Sequence, residues 1–584
     1  MESPFTHDAL HTIVNSPYTP YATAAALVVP TVVIAKRVMH RYMMRTYTGV
    51  PDLEALGTQA KPKGNVAVVC GGSIAGLLTA RVLSDHFDRV VVIEPEAWAL
   101  SNEAADGVTT TGTCTVAAEG GSYATLTHKR TRVYQYTAMH AYQVLLGRVL
   151  RKLFPGFDEL ARGRGVIFAP AEMNARLSGW GCRLPYAEYG GTLPEVPFTS
   201  RRTLEGVIRG CVRAANADGK IEFVHGTVTD FKLSSDATRL TAVTMRDGAG
   251  STRIVTADLV VDCTGVIQGG LKMLTRTLNG NPKASSTLAT LRQSYDPKID
   301  HVTIEVPYPA NFEENIAKIK LDTGVTGKWA GPKYLDTTKV AWWYTLAPDP
   351  DVDYRILAAG RKDNGIVFFA GGWTSEMPVT LEQMREYAQG VKSDNPVPQF
   401  YFDILDLCMP VADRVTVFEG KVNSCSRVFY ERAADVLPRN FVAVGDATMR
   451  LNPRFGEGVT KAALGATTLD GVLRSYAPSH KAFGATYFQR LANRTQSLWD
   501  GSKWSDYGRE TTTPCEGETL EEGKFFRWFK LRLNRVLERD DAAGSAMFHA
   551  QHYLAPMQYA MTPRIMLKVL WEGMFPTAPF ERRA

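Results

Sequence analysis

The residues with the clearest chemical meaning are Gly71, Gly72, Ser73 and Gly76, in the run CGGSIAG, and Glu94 at the end of the following VVVIE. Glycines let backbone N–H groups approach an anion, and a carboxylate after the next strand can accept hydrogen bonds from sugar hydroxyls, so the set reads as a nucleotide site. A second place for close backbone approach is Gly265, which ends the apolar run LVVDCTG. A third lies within Asn440 to Leu473, where Gly445 and Asp446 close an apolar run. There Asn452, Pro453, Gly456 and Gly458 make another turn before a long apolar helix. Asp446 is suited to a hydroxyl, and the N–H groups at 456–459 to an anion. Three such turns, far apart in the chain, suit one extended ligand across a sheet better than a mononucleotide.

The elements that must position these groups follow from periodicity. Val66–Val69 and Arg89–Ile93 are short β-branched runs suited to strands buried on both faces, and Ile74 to Leu83 between them has helical spacing. Ser200 is a good N-cap for a helix through Val212, which puts Arg201 in its first turn, where it can reach a phosphate or equally serve as a solvated surface charge. Ile221–Phe231, Asp258–Asp262 and Phe441–Val444 read as further strands, and a helix begins near Val459. The order strand, glycines, helix, strand predicts an α/β, Rossmann-like domain. Leu100 to Thr127, rich in Gly, Thr, Ser and Ala, reads as a loop. Lys129 to Leu153 has helical spacing toward its end, with Arg132, Gln135 and His140 as its polar residues; a helix face accounts for His140 without any function.

Length and composition exclude several classes. At 584 residues the chain spans more than one domain. Its 66 basic and 60 acidic residues leave +6, without one long basic run, so nucleic acid is not indicated. Its 8 cysteines form no C-x-x-C pair and have no histidine at ligand spacing, so neither a metal site nor a disulfide framework is expected.

Both ends carry lipid-compatible stretches. No Asp, Glu, Lys or Arg occurs between Asp8 and Lys36, and Tyr21 to Ala35 is strongly apolar, although Pro30 interrupts it. Lys36, Arg37, Arg41 and Arg45 follow, which favours leaving the carboxyl side in the cytosol if the stretch is an anchor. Membrane contact through Tyr21–Ala35, with the protein at a cytoplasmic membrane face, and a helix packed on the protein's own surface are equally open readings. Phe525–Arg539 is basic and amphipathic, favouring packing on its own domain over a membrane surface, and Ile565–Met574 is a second apolar run, too short to span.

On these residues the chain resembles the group A flavoprotein monooxygenases, the p-hydroxybenzoate hydroxylase type. GGSIAG with Glu94 is similar to their ADP-binding site, SRRTLEGVI to their R-x-x-L helix, and GDATMRLNPRFGEG to their segment along the ribitol and flavin ring. A narrower likeness is to polyether-type FAD epoxidases, whose basic-V-P-Q-x-x-H-x-H segment resembles Arg132-Val133-Tyr134-Gln135 and His140. The resemblance implies FAD contacts from Gly71, Ser73, Gly76, Glu94, Arg132, Arg201, Val228, Asp446, Pro453, Gly456 and Gly458. It also implies oxygen transfer from a flavin C4a-hydroperoxide to a lipophilic small molecule, with NADPH or NADH as electron donor; the cofactor carries the chemistry, so no catalytic side chain is named. Two departures are visible: Thr264-Gly265 stands where many group A enzymes have Asp-Gly, and W-x-W-x-I-P, the tryptophan motif of flavin halogenases, is absent.

The same reading divides the chain into an N-terminal tail (1–60), an FAD-binding domain in three parts (61–180, 200–270 and 420–475), an interleaved antiparallel-sheet substrate domain (181–199 and 271–419) and a helical C-terminal region (476–584). Trp342, Tyr344, Phe368 and Trp373, with Trp343 and Phe369, are the expected aromatic lining of the substrate pocket, about half of them serving sheet packing instead. Alternatives are a flavin reductase of the geranylgeranyl reductase type and a non-catalytic flavin-fold scaffold.

Overall fold

The computed structural model describes residues 19–578 apart from 108, 119–120, 364, 374–375 and 423, so the uncharged flank before residue 19 lies outside the described residues. Its first element is helix α1 (Thr19–Tyr47), which carries Pro30 inside it. Its carboxyl-terminal half meets the body: His40 contacts Tyr559, Arg494 donates to the Arg45 carbonyl, and just after the helix Thr48 and Gly49 are buried and Asp52 pairs with Arg494 at 2.7 Å. No helix among the described residues is long and apolar enough to cross a membrane.

Strand β1 (Gly64–Cys70), helix α2 (Ile74–Ser84) and strand β2 (Phe87–Glu94) form the first nucleotide-binding unit. Helix α3 (Arg201–Ala215) leads to β3 (Ile221–Leu233), and β4 (Leu259–Asp262) and β5 (Phe441–Ala443) complete the parallel part. The sheet order is β3-β2-β1-β4-β5, all parallel, with Leu240–Asp247 and Thr252–Thr256 added antiparallel outside β3. Val68 faces Val91 on one side and Val260 on the other, and all three are buried. β-branched residues covered on both faces by helices are what a parallel sheet requires. Helix α4 (Gly458–Ser475) packs on α2 from one side, its residues 459–470 all buried.

A second, eight-stranded sheet has as its centre Thr416–Val422, Ile299–Pro307, Gly365–Gly372 and Arg355–Lys362, with Tyr344–Ala347 and Ala175–Leu177 toward one edge. Its other edge is a hairpin of Thr110–Ala118 and Gly121–His128. This corrects the loop expected from Leu100 to Thr127. The alternating threonines there have β propensity, and the pairing partner, Thr416, lies too far along the chain for local composition to show. The stretch from Lys129 to Gln143 is likewise mostly irregular, with helix only from Val144 to Leu153.

The carboxyl-terminal part is helical: α5 (Phe483–Asp506), α6 (Lys524–Leu537), α7 (Asp541–Gln551) and α8 (Pro563–Met574). The apolar face of α6, with Phe529, Leu533 and Leu537, is buried against Ile565 and Val569 of α8.

The two sheets are tied by charge. Arg202 of α3 donates to Glu305 of the eight-stranded sheet at 2.6 Å, and Lys362 pairs with the same carboxylate. The two cations hold that acid at about 2, despite burial. Ser200, which caps α3, also donates to Asp363 at 2.8 Å.

Candidate functional site

The carboxyl ends of β1, β2 and β4, with the turn after β5, open on one cleft made of three adjoining hollows. The outer hollow, about 800 Å³, is lined by Gly71, Gly72, Ser73 and Glu94, by Arg132 and Val228, and by Gly265. A neck of about 130 Å³ follows, lined by His140, His301, Pro453, Gly456 and Gly458. Ser73, Arg201, Gly265 and Asp446 line both of these. Met139, Pro453, Gly456 and Glu457 then belong both to the neck and to an inner chamber of about 270 Å³. Turns separated by hundreds of residues thus converge on one continuous space.

The first turn is built around absent side chains. Gly71 has φ +114°, and a Cβ there would lie 2.4 Å from the carbonyl oxygen of Cys263, which is the backbone of the neighbouring strand end. A Cβ on Gly76 would lie 1.8 Å from the Gly71 oxygen, so this glycine sets how closely α2 sits on the turn. Gly445 lies beneath the cleft against Ala75. The first-turn N–H groups of α2 have no intrahelical acceptors and lie at the Gly71–Ser73 turn.

Glu94 holds that turn together as well as facing the outer hollow. One carboxylate oxygen accepts from Gly72 N–H at 2.8 Å, and the other accepts from Glu96 N–H and Arg130, each at 3.0 Å. A carboxylate has about four acceptor positions, so room remains for a hydroxyl. Around it stands a buried ionic network that the sequence reading missed. Arg130 bonds Glu96 at 2.5 Å and lies 3.3 Å from Glu205, while Arg209 bonds Glu205 and the carbonyl of Gly72. Burial raises the Glu205 carboxyl, but Arg130, Arg209 and Arg201 together hold it below its ordinary value. The signal was present: Arg201, Glu205 and Arg209 recur every four residues, on one face of α3. Arg201 reaches Ser73 Oγ at 3.3 Å, and its Nε has no hydrogen-bond acceptor although it is buried at the outer hollow's junction with the neck. A guanidinium with an unused donor, beside a glycine turn and a helix N-terminus, is a donor set for a pyrophosphate.

At the neck, Gly456 has φ +66°, and a Cβ there would approach Ala141 Cβ at 3.1 Å. Gln143 Nε2 donates to the Gly456 carbonyl at 3.3 Å. Asp446 is paired with Lys461 at 2.8 Å and keeps part of its surface in the cleft. His140 is not on a helix face: its Nδ1 lies 2.8 Å from the Ala138 carbonyl, and it lines the neck. Burial, reinforced by Arg201, pushes its imidazole to about 3, and burial pushes that of His301 to about 4, so both are neutral.

The inner chamber differs from the expected aromatic pocket by one residue of register. Trp343 and Phe369 line it, with Trp329 and Phe548. Trp342, Tyr344 and Phe368 point to the other face of the eight-stranded sheet, into the core with Phe312, Phe400 and Tyr401. Trp373 is also buried in the core, its indole N–H donating to the Pro297 carbonyl at 2.7 Å while Arg454 lies over its ring. The cause is the two-residue period of a strand, which the aromatic run WWY conceals. The chamber's acids are Glu457, which burial drives up to about 8 against the pull of Lys461 and Lys530, and Glu172, which burial raises although Tyr186 donates to it at 2.6 Å. Arg454, at the chamber wall, is paired with Asp506 at 3.0 Å. His552 is held neutral, pushed to about 3 by burial.

No family model matches this chain, and no curated protein matches it. Among solved structures it is similar to the flavin-dependent brominase Bmp2 (12% identity over 87% of this chain and 100% of that one, TM-score 0.45). It is also similar to a flavoprotein/dehydrogenase from Cytophaga hutchinsonii (12%, 87% and 100%, TM-score 0.46) and to the flavin-dependent halogenase CmlS (17%, 83% and 76%, TM-score 0.43). At these identities and scores the functional reading rests on the cleft itself.

Proposed function

We propose that this chain is an FAD-dependent monooxygenase that inserts one oxygen atom of O2 into a lipophilic small molecule, by epoxidation or hydroxylation, with NADPH or NADH as electron donor. The observation that carries the reading is the continuity of the cleft, from a hollow with pyrophosphate donors, through a neck edged by Gly456, to an inner chamber lined by aromatic side chains and a few polar ones. In this reading the Gly71–Ser73 turn, the start of α2 and Arg201 hold the pyrophosphate, Glu94 a ribose, Asp446 the ribitol, and residues 456–458 border the ring. Bound FAD supplies the redox chemistry with O2. The chain keeps the chamber dry with Trp343, Phe369 and Phe548, and it offers the substrate two carboxyl groups pushed toward their neutral form, Glu172 and Glu457. Such groups favour a neutral substrate with an apolar body and a hydroxyl-type polar group, and they disfavour a carboxylate.

The test is direct. Purified protein should carry noncovalent FAD and consume O2 with NADPH or NADH, and a host expressing the chain should accumulate a metabolite heavier by one oxygen. Flavin reduction without O2 consumption would move the assignment to a reductase, and protein without flavin would leave a scaffold.

A further inference from the structure

Helix α8 is apolar on two sides. Ile565 and Val569 face inward onto α6, whereas Leu567, Leu570, Trp571, Met574 and Phe575 face solvent. Leu567, Leu570, Trp571 and Met574 fall at i, i+3, i+4 and i+7, one unbroken stripe of a helix, with Phe575 just after it, where a water-facing side would carry polar residues. A few residues before it, Tyr559 meets His40 of α1, hydroxyl to Nδ1 at 2.7 Å with the rings stacked. Helix α1 presents Val33, Ile34, Val38, Met39 and Tyr42 to solvent, on the turns either side of His40. These ten side chains, nine on the two helices and Phe575 just after α8, are between 42% and 67% exposed, and the His40–Tyr559 contact joins the two segments, so the apolar surface here is more than a face that meets only water carries.

Charge identifies what covers it. Lys36, Arg37 and Arg41 are exposed on α1 and take part in no ion pair among the described residues, and the sequence has no acid from residue 9 to residue 51. On α8, Arg564 and Lys568 share a single carboxylate, Asp540. The one acid of α8, Glu572, is buried, accepting from Thr577. A second copy meeting this face about a two-fold axis would bring like charges together, since such an interface uses the same patch twice. Apolar side chains flanked by cations without acids are complementary to an anionic lipid surface, with aliphatic and tryptophan side chains in the interface and cations at the headgroups.

We infer that the Lys36–Tyr42 part of α1 and the outer stripe of α8 form a foot that docks the protein in the plane of an anionic membrane, without crossing it. The foot adjoins the chamber: Leu177 and Cys182 line the chamber and also pack against the α6–α8 cluster. The inference stands on exposed residues and charge alone and does not depend on the redox assignment.

Flotation of the full-length flavin-loaded protein with vesicles tests it. Wild-type protein should float with phosphatidylcholine vesicles containing phosphatidylserine, and much less with phosphatidylcholine alone. The double variant Leu570→Glu, Trp571→Glu should lose about ten-fold or more in partitioning, since it replaces buried apolar area with charge. Neutralising Lys36, Arg37 and Arg41 to Gln should weaken binding roughly five-fold per cation and reduce its salt dependence. Both variants change solvent-facing side chains, so unaltered flavin absorbance and thermal unfolding confirm that the fold is kept. Wild-type protein that floats with neither vesicle, or a double variant that floats as well as wild type, would overturn the inference. So would a concentration-dependent dimer by analytical ultracentrifugation that the double variant dissolves, which would assign the face to a second copy.

Discussion

Gly71 leaves no space for a side chain, because the nearest atom to a Cβ is a backbone oxygen fixed by the adjacent strand, and because φ +114° is hostile to a β-branched residue. Gly71→Val should therefore yield protein without FAD, read from the absorbance near the flavin bands, and normal flavin content in that variant would remove the turn from the site. Glu457 makes a different kind of prediction. Its folded value of about 8 lies above the ordinary carboxyl value, so the stability contributed by its neutral form is complete below that ordinary value and is lost as pH rises through 8. Glu457→Gln keeps the neutral shape at every pH. Between pH 6 and pH 9.5 the wild type should lose roughly 1–3 kcal/mol relative to the variant. Parallel melting temperatures across that range would show that Glu457 is not held neutral. At this scale the sequence was legible where backbone chemistry is restrictive: each glycine turn named from the chain ends up at the cleft or beneath it. It was not legible where burial decides. Nothing in FGEGV states that the glutamate lines a chamber, and nothing in VAWWYTL states which tryptophan faces it.

Between elements, the joint of α3 with the eight-stranded sheet rests on Glu305, a largely buried carboxylate with two cations, Arg202 and Lys362. Removing the acid leaves both cations buried without a partner, which costs more than the pair itself contributes. Glu305→Ala should lower the unfolding free energy by about 3–5 kcal/mol, measured by denaturant titration of the flavin-loaded protein, whereas an exposed pair such as Arg89 with Glu222 should matter by under about 1 kcal/mol. Equal effects at the two sites would contradict the burial seen here. The Rossmann-like elements could be read from the chain because each carries its own signal, β-branched runs, a cap at Ser200, glycines between them. The hairpin Thr110–Ala118 and Gly121–His128 could not: its first strand is largely exposed, its second gains its place by pairing with a strand some three hundred residues away, and both have the composition of a loop. The outer stripe of α8 was visible as an apolar run, but only packing shows that half of it is left uncovered.

At the scale of the molecule, the cleft is a joint between layers. The outer hollow is walled almost wholly by the parallel-sheet domain, the neck adds His301 from the eight-stranded sheet, and the inner chamber is closed by that sheet with Phe548 of α7. A ligand confined to the outer hollow touches one layer, whereas one that continues into the neck links two. Anything that binds the folded state alone stabilises it by RT ln(1 + [L]/Kd), about 2.7 kcal/mol at a hundred times Kd. If FAD runs through the cleft as proposed, FAD added to flavin-free protein should therefore raise the melting temperature well beyond the rise given by ADP at the same free concentration, because only FAD would be long enough to reach past Arg201 into the neck. The excess should shrink in Glu305→Ala, where the layers are already loosened at their ionic joint. If ADP stabilises as much as FAD, the outer hollow alone is the nucleotide site and the three glycine turns do not serve one extended ligand.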